Sequence, residues 1–306
     1  MSQIFGPVPS RRLGFSLGVD VVPLKTCTYN CIYCQLERTT KKTLRRAEYV
    51  TAEVILEELR HVLSLGQQID YITFSGSGEP TLNAKIGEMI RKIKEMTCIP
   101  VAVLTNGSLL YEREVREALS AADLVIPSLD AVSDEAFQRV NRPHGRLKIG
   151  TILKGLRIFR EIFSGQLWLE IMFVKGINDA SEEIERMRGV IGELRPEKIQ
   201  LNTVIRPPAE VFAQPLTEEE LSGIREQLGG NAEIIASFKR KDQSAYKADV
   251  EEAVLTLLRR RPVTLSDISE ALGVHRNEVV KYLEVLEHDG KIASKIFGGK
   301  RYYQSA

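Results

Sequence analysis

Cysteine is scarce in this chain, with four among 306 residues, and long apolar runs are missing altogether. No stretch of about 18 apolar residues occurs that would span a bilayer. Met1 to Val22 carries Gly, Pro and an Arg pair where a signal peptide needs an apolar segment. The expectation is a cytoplasmic protein without membrane contact, and in that reducing compartment four cysteines make no disulfide framework. Excess charge is missing too: 42 Lys and Arg stand against 41 Asp and Glu, a net +1 that is no evidence for attraction of the whole protein to nucleic acid or an anionic membrane. No solenoid-length repeat and no low-complexity tract is found. What remains, 43% hydrophobic and 27% charged, is an ordinary globular composition. The length suits one large domain plus a small one, or two medium ones.

Runs of β-formers alternate with amphipathic helical patterns up to about residue 240. The strand candidates are LGVDVVP, YITFSGSGE, VAVLTNG, LVIPSLD, LWLEIMFV, KIQLNTVI and AEIIASF; among the helical segments are AEVILEELRHVLSLG, IGEMIRKIKEM, TILKGLRIFREIF and SEEIERMRGVIGELR. Strand then helix, repeated about six times, predicts an α/β fold with a parallel sheet and crossover helices, a barrel or partial barrel as readily as an open sheet. Ligands then gather at the C-terminal ends of the strands.

The composition changes at KRKDQSAYK, which divides the chain into a domain over 1–240, a linker over 241–247 and a module over 248–306. Three short helical patterns and two strand-like runs around Gly298-Gly299 predict a winged helix-turn-helix, with Thr264 or Ser266 capping its second helix and Gly273 making the tight turn before the third. A recognition helix HRNEVVKYLEVLEHDG would expose His275, Arg276, Asn277 and Lys281, with Lys295, Lys300 and Arg301 on the wing. Against them stand Glu278, Glu284, Glu287 and Asp289, and residues 247–306 hold ten Lys and Arg to nine Asp and Glu. That is a poor footprint for a phosphate-tracking domain. Contact with nucleic acid, contact with a protein or peptide, and a lid on the first domain all stay open.

Three of the four cysteines crowd into CTYNCIYC, as Cys27, Cys31 and Cys34. Zinc usually takes four Cys or His ligands, and here no local fourth ligand and no second C-x-x-C follows. A thioredoxin-like pair would use Cys31 and Cys34 and leave Cys27 without a role. Three thiolates can also hold three irons of a [4Fe–4S] cluster and leave the fourth iron open. Cys98, before Ile99-Pro100, reads as a buried small apolar residue.

The spacing C-x3-C-x2-C, with Tyr33 before the last cysteine and a strand before the first, resembles the signature of the radical SAM superfamily. SGSGEP (Ser75 to Pro80) is similar to its glycine-rich GGEP turn, with Ser77 in place of one glycine. LTNG (Leu104 to Gly107) and PSLD (Pro127 to Asp130) resemble its ribose- and carboxylate-binding strand ends, and KGIND (Lys175 to Asp179) its loop near the adenine. GPVPSRRLGFSLGVD, QLERTTKKT and LNTVIRPP look like a stand-alone branch related to the wybutosine-synthesis enzymes, over about residues 4 to 215. With only one cysteine outside the triplet, no all-cysteine second cluster is available.

The resemblance implies a partial (βα)6 barrel and two cofactors, a [4Fe–4S] cluster on Cys27, Cys31 and Cys34 and S-adenosylmethionine. Reductive cleavage of the latter would give a 5′-deoxyadenosyl radical that abstracts hydrogen from an unidentified substrate. It further implies cofactor contacts from Tyr33 (by its backbone), Gly76, Ser77, Gly78, Glu79, Asn106, Ser128, Asp130 and Ile177. Gly76 and Gly78 would permit close approach of the methionyl end. Arg142 and His144 in RVNRPHG, with Arg139 nearby, and Arg206 in IRPP are the candidate catalytic or substrate-gripping residues. The basic run Arg38, Lys41, Lys42, Arg45 and Arg46, which Arg11 and Arg12 would join, reads as a solvated face or as a landing site for an electron donor such as a flavodoxin or ferredoxin, or for a polyanionic substrate. Two rival readings stay open: an iron–sulfur redox sensor that reads DNA through the C-terminal module, and a radical SAM enzyme acting on tRNA or a protein.

Overall fold

The computed structural model describes residues 2–10, 12–206, 208–235, 248–260, 262–297 and 300–306. The expected linker 241–247 lies outside these residues, as do Arg11 and Gly298-Gly299. The chain begins with a hairpin: β1 (Ile4–Ser10) runs antiparallel to β2 (Gly14–Val19). The cysteine loop follows, with β3 (Thr26–Cys27) paired to β4 (Lys41–Lys42). Then come α1 (Ala52–Ser64), β5 (Tyr71–Phe74), α2 (Ile86–Met96), β6 (Val101–Thr105), α3 (Arg113–Leu119), β7 (Leu124–Pro127), α4 (Asp134–Val140) and α5 (Ile149–Ile162). β8 (Gln166–Phe173), α6 (Ser181–Leu194), β9 (Lys198–Thr203), α7 (Glu218–Leu228) and β10 (Ala232–Ile234) complete the N-terminal part of the chain.

Its sheet has the order β1-β2-β5-β6-β7-β8-β9-β10, and every pairing except β1 with β2 is parallel. Six strands, β2 and β5 to β9, each lead into a helix, which is the (βα)6 pattern the sequence predicts, left open rather than closed. Alternation along each strand assigns the two faces. Ile72 and Phe74, Val101 and Val103, and Leu167, Leu169, Ile171 and Phe173 join the core under the helices. The opposite, concave face is floored by Leu13, Ala102, Leu124, Ile126 and Trp168. Toward the C-terminal strand ends it turns polar, where Arg12 pairs with Glu170 at 2.7 Å and Asn202 donates to the same carboxylate. Arg12 therefore belongs to this interior and not to the basic run.

Two local expectations are corrected. The first parallel strand stops at Val19, and Asp20 to Pro23 leave the sheet, since Pro23 has no N–H to offer a ladder. Cys98 is exposed, because it sits in the outer turn between α2 and β6.

The C-terminal module consists of α8 (Ala248–Arg260), α9 (Leu265–Leu272) and α10 (Arg276–His288), then a hairpin of β11 (Ile292–Phe297) and β12 (Lys300–Ser305). Thr264 and Asp267 form a capping box on α9, and Gly273 ends that helix at φ 63°. Val254, Leu258, Ile268, Val279, Leu283 and Leu286 make its core, and Leu36 of the cysteine loop is buried among them. Among the described residues no helix is long and apolar enough to cross a membrane.

Candidate active site at the cysteine loop

The cysteine loop is held by backbone bonds on two sides. Asn30 N–H donates to the Asn141 carbonyl, Ile32 N–H to that of Val140, and Glu210 N–H to that of Ile32. Ile32 and Tyr29 are its buried anchors, Tyr29 meeting Phe137 edge to face at 5.4 Å. The three thiols stand half-buried, and each is met by a nitrogen donor. Asn106 Nδ2 lies 3.5 Å from Cys27 Sγ, Asn141 Nδ2 3.5 Å from Cys31 Sγ, and Lys25 Nζ 3.0 Å from Cys34 Sγ. Without metal, burial and then Glu79 push the Cys27 thiol up to about 11, and burial with Asp130 pushes Cys31 higher still. Iron held by these sulfurs would keep them as thiolates. Among the described residues no three Cys, His, Asp or Glu side chains converge on one ion; thiols that hold separate irons of a cluster need not converge. Three thiols with a donor apiece therefore fit a cluster.

Beside the loop, the turn after β5 is packed to contact. A Cβ on Gly78 would stand 1.9 Å from the Thr26 carbonyl oxygen, and one on Gly76, at φ 155°, 2.4 Å from Asp20 Cγ. These glycines thus admit the protein's own atoms, a close approach the sequence assigned to the cofactor. Ser77 donates its N–H (3.0 Å) and its hydroxyl to Asp20 Oδ2, and its carbonyl accepts from Lys25 N–H at 2.7 Å. Glu79 is a buried strut: its carboxylate accepts from Thr81 N–H and hydroxyl, from the Thr105 hydroxyl and from Asn106 N–H, joining the ends of β5 and β6. Burial raises its pKa against those bonds.

Past β7, Ser128 has no side-chain hydrogen bond among the described residues, and Asp130 is buried. The Asp130 carboxylate accepts from the Tyr33 hydroxyl at 2.5 Å, from Asn141 Nδ2 at 2.7 Å and from Met172 N–H at 2.9 Å. Burial moves it up to about 6 although those three bonds pull it down. Tyr33 thereby aims its ring at the strand ends. Ile177 is half-buried in the turn after β8, its N–H on the Val174 carbonyl.

The candidate catalytic residues are not brought together. Arg142 pairs with Glu210 on the outer flank of the loop, where Arg38 holds the second oxygen. His144 donates its N–H to the Thr28 carbonyl. Arg206 is taken up by Gln35 and by Glu284 of α10. The basic run is divided: Arg46 is packed, bonding the Thr81 carbonyl and Glu114, while Lys41, Lys42 and Arg45 stay exposed.

The expected recognition surface of α10 is corrected as well. Asn277 is buried, and the His275 and Arg276 side chains are only 9% and 17% exposed, because the start of α10 is seated on the barrel. Asp20, Lys25, Asn141 and Glu210 were missed by the sequence reading, although Asp20, inside the quoted LGVD, and Asn141, inside RVNRPHG, stood in stretches already singled out.

A family model described as the radical SAM superfamily matches residues 21–188. The open parallel sheet is similar to that of a radical SAM methyltransferase from Sphaerobacter thermophilus, with a TM-score of 0.58 at 18% identity over 73% of this chain and 67% of that one. The chain belongs to the radical SAM superfamily, so it is an enzyme of radical chemistry whose cofactors are a [4Fe–4S] cluster and S-adenosylmethionine. Within it, the chain is a member of the UPF0026 family: it is 33% identical to a UPF0026 protein of Methanocaldococcus jannaschii over 99% of this chain and 96% of that one. It is also 40% identical, over 98% of its length, to a Brachyspira hyodysenteriae protein named GTPase Obg, of which it spans 45%.

Proposed function

We propose that Cys27, Cys31 and Cys34 hold the cluster and that the turn Gly76 to Glu79, with Asn106, Ser128 and Asp130, holds S-adenosylmethionine above the concave face. The single observation that carries this is the set of three half-buried thiols, each with its own nitrogen donor, beside the C-terminal strand ends. When bound, the cluster supplies the electron that cleaves S-adenosylmethionine to a 5′-deoxyadenosyl radical, which takes hydrogen from substrate. The residues of the chain exclude water and fix geometry. Lys25, Asn106 and Asn141 orient and stabilise the sulfurs, Glu79 ties two strand ends, and Asp130 fixes Tyr33. The substrate enters the concave face, where Arg12, Glu170, Gln200 and Asn202 offer both donors and acceptors. That lining suits a polar molecule that itself donates and accepts.

The outer flank of the loop suits an acidic electron donor of the flavodoxin or ferredoxin kind. Val211 and Phe212 are exposed one and two residues beyond Glu210, with Arg38, Lys42 and Arg142 around them. We read the C-terminal module as a winged helix used as a lid. The covered start of α10 disfavours the DNA-reading sensor, whose helix would have to present His275 and Asn277.

The test is anaerobic reconstitution with iron and sulfide, then dithionite, S-adenosylmethionine and chromatography for 5′-deoxyadenosine, in wild type and in Cys27→Ala, Cys31→Ala and Cys34→Ala. Release that disappears in each variant supports the reading. A protein that stays colourless, or one that neither binds nor cleaves S-adenosylmethionine, overturns it.

A further inference from the structure

We propose that the C-terminal module completes the S-adenosylmethionine site: His275 is a positioning residue that holds Asp20, and through Asp20 the SGSGEP turn, in the shape that receives the cationic methionyl end of the cofactor. The inference rests on the reading of that turn as the cofactor site.

The side chains form a continuous stack from one domain to the other. Gly18 in β2 leaves room for the Phe5 ring, whose Cζ would stand 2.0 Å from a Cβ there. The His275 ring lies on Phe5 with centroids 4.3 Å apart and planes 9° from parallel. His275 Nε2 then reaches Asp20 Oδ2 at 3.1 Å, the oxygen that also takes the N–H and hydroxyl of Ser77. His275 is the N-cap of α10, and its Nδ1 accepts Asn277 N–H at 3.2 Å. That bond assigns the proton to Nε2, so the ring donates to Asp20 as a neutral group.

Histidine is an unusual cap where Ser, Thr, Asp or Asn are preferred, and Thr264 does that work on α9. The ring adds what those shorter caps lack, the reach to a second domain. Other contacts hold the module in the same place: Leu36 in its core, Arg206 between Gln35 and Glu284, and Arg301 donating to the Pro208 carbonyl.

Asp20 is the focus of this stack. Among the described residues, the three donors on Oδ2 are all neutral and Oδ1, buried close beside Gly76, has no hydrogen-bond partner. An acidic oxygen kept under the turn with no cation paired to it among the described residues offers an acceptor to a positively charged group that binds there. S-adenosylmethionine brings an ammonium and a sulfonium, so the attraction has the right sign. Removing His275 frees one end of the carboxylate and lets the Ser77 turn loosen with it.

The experiment uses the full chain as wild type, His275→Ala, His275→Gln and Phe5→Leu. In the apo protein, hydrogen–deuterium exchange follows the amides of residues 75–79; in reconstituted protein without reductant, equilibrium dialysis measures S-adenosylmethionine affinity. Expected are exchange of the Ser77 amide and loss of affinity each by about tenfold in His275→Ala, the worth of one hydrogen bond to a charged group. Gln, whose amide can donate from a similar position, restores most of both. Phe5→Leu, which removes the stacked ring from the barrel side and leaves α10 intact, shifts both in the same direction. Wild-type exchange in His275→Ala and Phe5→Leu overturns the brace. A loosened turn with unchanged affinity overturns its link to the cofactor. A wild type that fails to bind S-adenosylmethionine overturns the reading of the turn itself, whatever the exchange shows.

Discussion

Adding one methyl group at Gly78 tests whether the glycine turn and the cysteine loop are a single packed unit. A Cβ there would meet the Thr26 carbonyl oxygen at 1.9 Å, its carbon at 2.8 Å and Val22 Cγ2 at 3.2 Å. The first two are backbone, so no rotamer relieves them, and Thr26 is bonded to this same turn, its carbonyl accepting Glu79 N–H at 3.1 Å. Overpacking of this kind costs about 1–3 kcal/mol. Loss of the Glu79 bond, and strain on the Lys25 N–H bond to the Ser77 carbonyl, add about 1 kcal/mol. Gly78→Ala should therefore destabilise the apo protein by about 2–4 kcal/mol, roughly 5–15 °C in thermal unfolding for a domain of this size. Because Thr26 precedes Cys27, the displacement also moves one of the three thiols proposed to hold the cluster, and iron taken up per chain on reconstitution should fall with stability. Gly189→Ala is the control: this exposed glycine of α6 has nothing within 4 Å of a Cβ, so the change should stabilise by about 0.5–1 kcal/mol. Circular dichroism melts and iron assays of both variants decide. A Gly78→Ala protein that melts within about 2 °C of wild type and takes up full iron would refute the packing argument.

Lys25→Met removes the cationic donor 3.0 Å from Cys34 Sγ; the cluster's midpoint potential, followed by spectroscopic redox titration, should become more negative by about 60 mV, equivalent to about 1.4 kcal/mol for one electron. Asp130 carries a folded-state pKa raised from 3.8 to about 6, so the fold binds its proton more tightly than the unfolded chain and its contribution is fully present below about pH 4 and lost as pH rises through about 6. In denaturant unfolding of apo protein, the stability of Asp130→Asn relative to wild type should accordingly rise between pH 4 and 7 by up to about 3 kcal/mol, and a flat difference would contradict the raised pKa. Leu36→Ala empties a buried position in the module's core and should cost about 2–4 kcal/mol, seen as faster amide exchange along α10 as well as in the cysteine loop.

Features written within a few residues were legible in the sequence, and features made by distant segments were not. IGEMIRKIKEM is read as a helix and is one to the residue, because a 3.6-residue apolar period is a local code. The cysteine spacing and the strand-end turns are local in the same way. β1 escaped notice because GPVPS carries two prolines and no alternation, and its place at the sheet edge is what tolerates them. Cys98 was misread by residue type: cysteine is usually buried, but the turn from α2 to β6 faces outward. His275 is the instructive failure. A polar residue before an amphipathic helix reads as the tip of a recognition helix, whereas its partner Asp20 lies 255 positions away, a separation across which a single sequence carries no pairing signal. The same distance gives the contact its functional weight. A helix start that pairs by chance with a far segment would be expected to use a surface carboxylate, and this one uses a buried oxygen already bonded to the turn beside the three thiols. On the proposed reading of that turn, the C-terminal module is tied to the cofactor site by its own fold, and its removal perturbs that site and not only a surface.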